Sequence, residues 1–134
     1  MTKNKLLLDT CAAIWLSSSQ PIADKLKALF RDAMVLVSPI TAWEIGILVS
    51  RQRLALTLPP ELWFRRLLET PEIEQADMPA RVLIASSFLP GSPPGDPADR
   101  IIAATAREFG YRVVTRDRKL LDYASEGHIQ AIAC

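Results

Sequence analysis

Four acids in this chain stand where they could do chemistry together. Asp9 follows the apolar run Lys5-Leu-Leu-Leu8, and Asp117 stands two residues beyond the run Tyr111–Thr115. Glu44 and Asp99 fall in the first turns of two segments with helical patterning, one opened by Ser38-Pro39 and the other by Asp96-Pro97. Four carboxylates brought close together repel one another, and at least one must keep its proton unless a cation is present. An all-oxygen donor set suits Mg²⁺ or Mn²⁺. A pair of such ions about 3.5–4 Å apart is the usual device for hydrolysing a phosphodiester, one activating a water and the other steadying the leaving oxygen.

The elements that would have to position these acids are legible in outline. Lys5–Leu8, Met34–Ser38 and Tyr111–Thr115 read as buried strands, with Glu72–Ala76 and His128–Ala133 as further short strands. Helices are expected from Gln20-Pro21, with Ile22, Leu26, Leu29 and Phe30 on one face, and from Pro39 to about Arg51. Others are expected from Pro59-Pro60 through Leu68, over Arg81–Phe88, and over Ala98–Phe109 with Gly110 as its C-cap. Leu120-Leu121 reads as a short helical turn, and Pro90–Pro97 as a loop rich in Pro and Gly. Strands alternating with helices predict a three-layer α/β/α sandwich with a mostly parallel central sheet, spanning residues 1–134 as one domain. In open α/β sheets ligands bind at the carboxyl ends of strands, which is where Asp9 and Asp117 fall.

Each acid also has a plainer reading. Asp9 could cap the turn after its strand. Thr41 precedes Glu44 by three residues, the spacing of a capping box, although Ser38-Pro39 is the better helix start and would leave Glu44 too far inside to reach the cap. Asp96 before Pro97 reads as an N-cap, Asp99 could simply complement the helix dipole, and Asp117 could be an exposed loop acid. Joint placement, rather than any single signal, favours a shared site.

Composition sets the outer bounds. The chain has 134 residues, 49% hydrophobic and 23% charged, which is globular rather than disordered. No apolar run approaches a membrane span, and the N-terminus lacks the apolar region of a secretory signal, so a cytoplasmic protein is expected. Cys11, Cys134 and the single His128 are far apart in sequence and make neither a disulfide framework nor a zinc set. A net charge of +1 gives no global basic field. Nucleic acid would have to be held through metal ions or a local rim, for which Arg51, Arg53, Arg65, Arg66, Arg116, Arg118 and Lys119 are candidates. Trp15, Trp43 and Trp63 lie among apolar neighbours and read as core or dimer packing rather than RNA-stacking aromatics.

Four motifs carry a resemblance over nearly the whole chain. They are Leu7-Leu-Asp-Thr10, Ser38-Pro-Ile-Thr-Ala-Trp-Glu-Ile45, Asp96-Pro-Ala-Asp-Arg-Ile-Ile-Ala-Ala-Thr-Ala106 and Val114-Thr-Arg-Asp117. In content, order and spacing the sequence resembles the PIN-domain ribonucleases, specifically the VapC-type toxins of toxin–antitoxin pairs. The resemblance implies a Mg²⁺-dependent endoribonuclease, homodimers, and a small antitoxin whose C-terminal segment covers the site. By position it assigns Asp9, Glu44, Asp99 and Asp117 to the family's acidic quartet, as catalytic and metal-holding residues, with Thr10, Thr115 and Asp96 as residues that line the site. Pro94 and Cys11 stand where histidine is frequent in the family, departures that bear on RNA positioning rather than on the acids. Two other classes compete. One is a receiver-like phosphoacceptor domain, which needs two adjacent acids after the first strand and a Lys after the last, where this chain has Asp9-Thr10 and none. The other is a catalytically inactive module that binds RNA or a partner.

Overall fold

The computed structural model describes residues 4–18 and 21–134. The expected opening of a helix at Gln20, and the side chain of Ile22, lie outside the described residues. The order of elements is β1 (Asn4–Leu8), α1 (Thr10–Leu16), α2 (Pro21–Leu29), β2 (Ala33–Val37), α3 (Pro39–Ser50), α4 (Pro60–Glu69), β3 (Ile73–Gln75), α5 (Ala80–Ala85), α6 (Pro97–Phe109), β4 (Arg112–Thr115), α7 (Arg118–Ser125) and β5 (Gln130–Ala133). The five strands form one sheet in the order β3-β2-β1-β4-β5, and every pairing is parallel. Receiver domains use the order 2-1-3-4-5, so the strand order removes that alternative.

Successive residues of a strand point to opposite faces, and here both faces are covered. Leu6, Leu8, Val35, Val37 and Val114 pack with Leu26 of α2, Ile45 of α3 and Trp63 and Leu67 of α4. Leu7, Leu36 and Val113 face the other way, against Ile102 of α6 and Leu120 and Tyr123 of α7. This is why β1 reads as an unbroken Leu-Leu-Leu: a central parallel strand has no solvent side. Leu7 is fully buried, and truncating such a residue to Ala typically costs about 2–5 kcal/mol.

The structure differs from the sequence reading in several places, one being α5, which ends at Ala85 rather than at Phe88. Thr10–Leu16 is a helix, α1, that the pattern did not reveal, because seven residues span under two turns and show no clear period. The expected turn at Leu120-Leu121 is the two-turn helix α7. Pro97, the last residue of the expected loop, is the first residue of α6, in keeping with Asp96 read as its N-cap, and a missing N–H is harmless there. Gly110 closes α6 at φ +74°, a left-handed conformation that glycine adopts without a Cβ penalty.

Of the tryptophans, Trp63 is core and Trp15 packs against it, while Trp43 is 52% exposed. Arg116 is exposed but stacks over Trp15 at 4.6 Å and donates to the Cys134 carbonyl, so this member of the expected basic rim is engaged by the protein's own groups. Arg65 pairs with Glu61 on one face of α4, and Arg51, Arg53, Arg66, Arg118 and Lys119 are exposed. Cys11 and Cys134 are both free thiols.

Candidate active site

Chain order jumps sides between β1 and β4: β2 and β3 lie on one flank of β1, β4 and β5 on the other. A crevice opens at such a switch point, beyond the carboxyl ends of the strands. Asp9 follows β1 there, and Asp117 follows the neighbouring β4.

Asp9 is 3% exposed and serves as N-cap of α1, with Oδ1 accepting from the Ala12 amide at 2.8 Å. Its Oδ2 accepts from the Thr115 hydroxyl. That hydroxyl in turn accepts from the Asp117 amide at 2.9 Å. Asp117 caps α7 through the Leu120 amide. The cap expected as a plain alternative for Asp9 is therefore real, and so is its place among the acids, since Asp117 acts on its charge. Asp117 is likewise a cap and not an idle loop acid.

Glu44 lies more than a turn inside α3, whose N-cap is Ser38. The capping box with Thr41 is absent. Glu44 Oε1 instead accepts from the Thr10 hydroxyl at the start of α1, and Thr10 contacts Thr41 at 3.2 Å. Asp96 caps α6 through the Asp99 amide at 3.0 Å. The loop before it is pinned: Arg100 donates to the carbonyls of Ser86 and Pro94, Tyr123 donates to that of Pro90, and the Ser92 amide donates to Glu126. These bonds fix where α6 begins and so where Asp99 sits.

The acids feel one another. Burial first, then Asp96, Asp117, Glu44 and Asp9, push the Asp99 carboxyl up to about 7. Burial raises Asp9 as well, against the lowering effect of the Thr115 and Ala12 bonds. Burial raises Glu44, opposed by Thr10 and reinforced by Asp96 and Asp9. Cys11 completes the group: desolvation, then Asp9, Glu44, Asp99 and Asp117, push its thiol up to about 11. The structure thus brings Asp9, Glu44, Asp96, Asp99 and Asp117 to one place, with Thr10 and Thr115 between them. Sequence reasoning missed Thr41, whose spacing from Glu44 had suggested a cap; Cys11, which in the sequence stands out only as a departure from the family's frequent histidine, lies among the acids.

Among the described residues the two side-chain ion pairs, Arg65–Glu61 and Arg81–Glu108, lie outside this cluster. No group of three or more His, Cys, Asp or Glu side chains among them is arranged around a single ion. The donors are oxygen atoms of carboxylates and hydroxyls, the chemistry that hard cations prefer, and they form no closed protein cage among the described residues.

A family model described as PIN domain matches residues 6–126. The chain belongs to the PIN domain family. It is 35% identical to "Ribonuclease VapC22" of Mycobacterium tuberculosis over 117 residues, covering 86% of this chain and 88% of that protein. The backbone of this PIN domain superposes on a chain in the crystal structure of VapBC2 from Rickettsia felis bound to a DNA fragment from their promoter, with a TM-score of 0.67, 17% identity, and 96% and 98% of the two chains covered. A toxin-antitoxin complex from Klebsiella pneumoniae gives a TM-score of 0.66 at 20% identity, with 95% of each chain covered. At such identities the two structures establish the α/β fold of this PIN domain.

Proposed function

We propose that this chain is the endoribonuclease toxin of a toxin–antitoxin pair, and that Asp9, Glu44, Asp99 and Asp117 hold Mg²⁺, or Mn²⁺ in its place, to hydrolyse RNA phosphodiesters. Family membership and the identity to a named ribonuclease support the nuclease class. The observation that carries the metal reading is the convergence of five carboxylates, with Asp99 raised to about 7, at a strand switch point that no protein cation neutralises among the described residues.

When bound there, such ions lower the pKa of a water and offset charge developing on the phosphate. The chain's own residues supply orientation. Thr115 and the Ala12 amide fix Asp9, Thr10 fixes Glu44, and the α6 cap fixes the backbone of Asp99. Near neutrality and without a cation, Asp99 shares its site with a proton, which lessens repulsion in the cluster. RNA phosphates need positive charge beside so many acids, and Arg118 and Lys119, exposed and following Asp117 in the chain, are the candidates to give it.

The antitoxin reading is supported by the toxin–antitoxin complexes among the structural neighbours. We take its segment over the site to carry an Arg, whose fork engages carboxylates bidentately. Exposed Leu83, Ile84 and Phe88, the last 80% exposed, support a homodimer. The cytoplasm is the compartment in which cellular RNA and such a partner meet; no described helix is long and apolar enough to cross a membrane.

Incubating the purified chain with RNA, with Mg²⁺ or with a strong chelator, and sequencing the RNA ends tests the proposal. Cleavage confined to the Mg²⁺ sample supports it. Full cleavage in chelator by a preparation shown free of other nucleases overturns the metal mechanism, and no cleavage with Mg²⁺, nor with Mn²⁺ in its place, overturns the nuclease.

A further inference from the structure

Thr41 is fully buried on α3, three residues ahead of Glu44, and its hydroxyl lies 3.2 Å from that of Thr10. Thr10 gives its hydroxyl proton to Glu44 Oε1. A hydroxyl has one proton to give and two lone pairs to offer. With the Thr10 proton committed, the Thr41 hydroxyl is the donor in the Thr10–Thr41 pair. We propose that Thr41 is a positioning residue for the acidic site: through Thr10 it holds the Glu44 carboxylate in place.

Local structure shows why Thr10 needs this support. It is the first residue of α1, so no preceding helical carbonyl is available to its hydroxyl, and threonine in helices otherwise divides between rotamers according to such bonds. The Thr41 proton selects the rotamer that faces Glu44. A chain of hydroxyls in a buried setting also polarises each member, which strengthens the final bond to the carboxylate. The neighbouring acid is served by the same device: Thr115 donates to Asp9 while accepting from the Asp117 amide. In that case the feeding donor is a backbone amide, which only proline would remove; at Glu44 it is the side chain of Thr41.

This inference rests on the reading of Glu44 as a metal-holding acid, and two measurements keep the two apart. The first needs neither metal nor RNA. NMR of slowly exchanging hydroxyl protons in the full chain is expected to show a protected Thr10 proton, shifted and exchanging faster in Thr41→Val and restored in Thr41→Ser. An unprotected Thr10 proton in the parent, or an unchanged one in Thr41→Val, overturns the proposal. The second is the Mg²⁺ dependence of RNA cleavage. Thr41→Val is expected to raise the half-saturating Mg²⁺ concentration about threefold to tenfold, the effect of one hydrogen bond, with the KM for RNA unchanged and with Thr41→Ser close to the parent. In a Thr10→Val background, Thr41→Val is expected to add nothing. Additive effects in that cycle, or lowered melting with parent-like Mg²⁺ dependence, assign Thr41 to packing and overturn the proposal. A parent that cuts no RNA overturns the function, while the hydroxyl-proton measurement still decides the role of Thr41.

Discussion

Two groups of acids meet in this crevice, and they are held differently. Asp9, Asp117 and Asp96 each cap a helix, their carboxylates tied to backbone amides of Ala12, Leu120 and Asp99. Glu44 and Asp99 project from inside helices; Glu44 is held through a hydroxyl, and no hydrogen bond to the Asp99 carboxylate is present among the described residues. The capping acids serve stability and placement together. Burial and neighbouring acids raise Glu44 and Asp99, and burial raises Asp9 despite its two bonds; of the three, only the Asp99 carboxylate has no hydrogen bond among the described residues to oppose this. An acid that the fold leaves uncompensated is the one a cation stabilises most.

The largest expected effect breaks the contrast at Asp99. Asp99→Asn keeps the shape and removes the charge, and should lower RNA cleavage about a hundredfold or more, the scale for losing a group that acts on transition-state charge. Its metal-free melting temperature should equal or exceed the parent's, because one repelling carboxylate is gone. Parent-like cleavage by this variant would remove Asp99 from the mechanism. Asp9→Ala should also abolish cleavage but should lower melting, since it deletes a cap and leaves the Thr115 hydroxyl without its acceptor. If both variants shift melting in the same direction, the distinction between anchored and unanchored acids fails.

A smaller effect concerns pH. Asp99 has a higher pKa folded than unfolded, so the folded state binds the proton more tightly, and stability is lost as pH rises from about 4 through about 7. Asp9 and Glu44 are raised too and act in the same sense. Metal-free chain should therefore melt lower at pH 8 than at pH 5, and Asp99→Asn should flatten that slope. Added Mg²⁺ should raise melting more at pH 8, where Asp99 is ionised. A metal-free melting curve that climbs across this range would contradict the raised carboxyls.

The smallest effect isolates a cap from the chemistry. Asp96→Ala should cost about 1 kcal/mol of stability and leave much of the cleavage, measured by melting and RNA cutting side by side with Asp99→Asn. Cleavage falling as far as in Asp99→Asn would place Asp96 among the essential acids.

Much of this arrangement is legible before any coordinates. The run Leu6-Leu-Leu8 reads as a strand buried on both faces, and Ser38-Pro39, Asp96-Pro97 and Gly110 mark helix ends by chemistry that acts within a few residues. The four acids stand out because strands and helix starts place them, and the strands are readable from apolar runs. The helix α1 is not readable, since Thr10–Leu16 is too short for its period to show and is stabilised by packing on β1 and α2 rather than by its own propensity.

Local sequence therefore determined which backbone amides Asp96 would cap and that Asp9 and Asp117 would follow strands. Only the tertiary structure decided that β1 and β4 are neighbours, that α1 turns Thr10 toward Glu44 and Thr41, and that Asp99 is raised to about 7. Caps and turns depend on atoms a few bonds apart. Contact across 31 or 106 residues, as between Thr10 and Thr41 or Asp9 and Thr115, depends on the order in which strands join the sheet, and electrostatic coupling depends on the burial which that order creates.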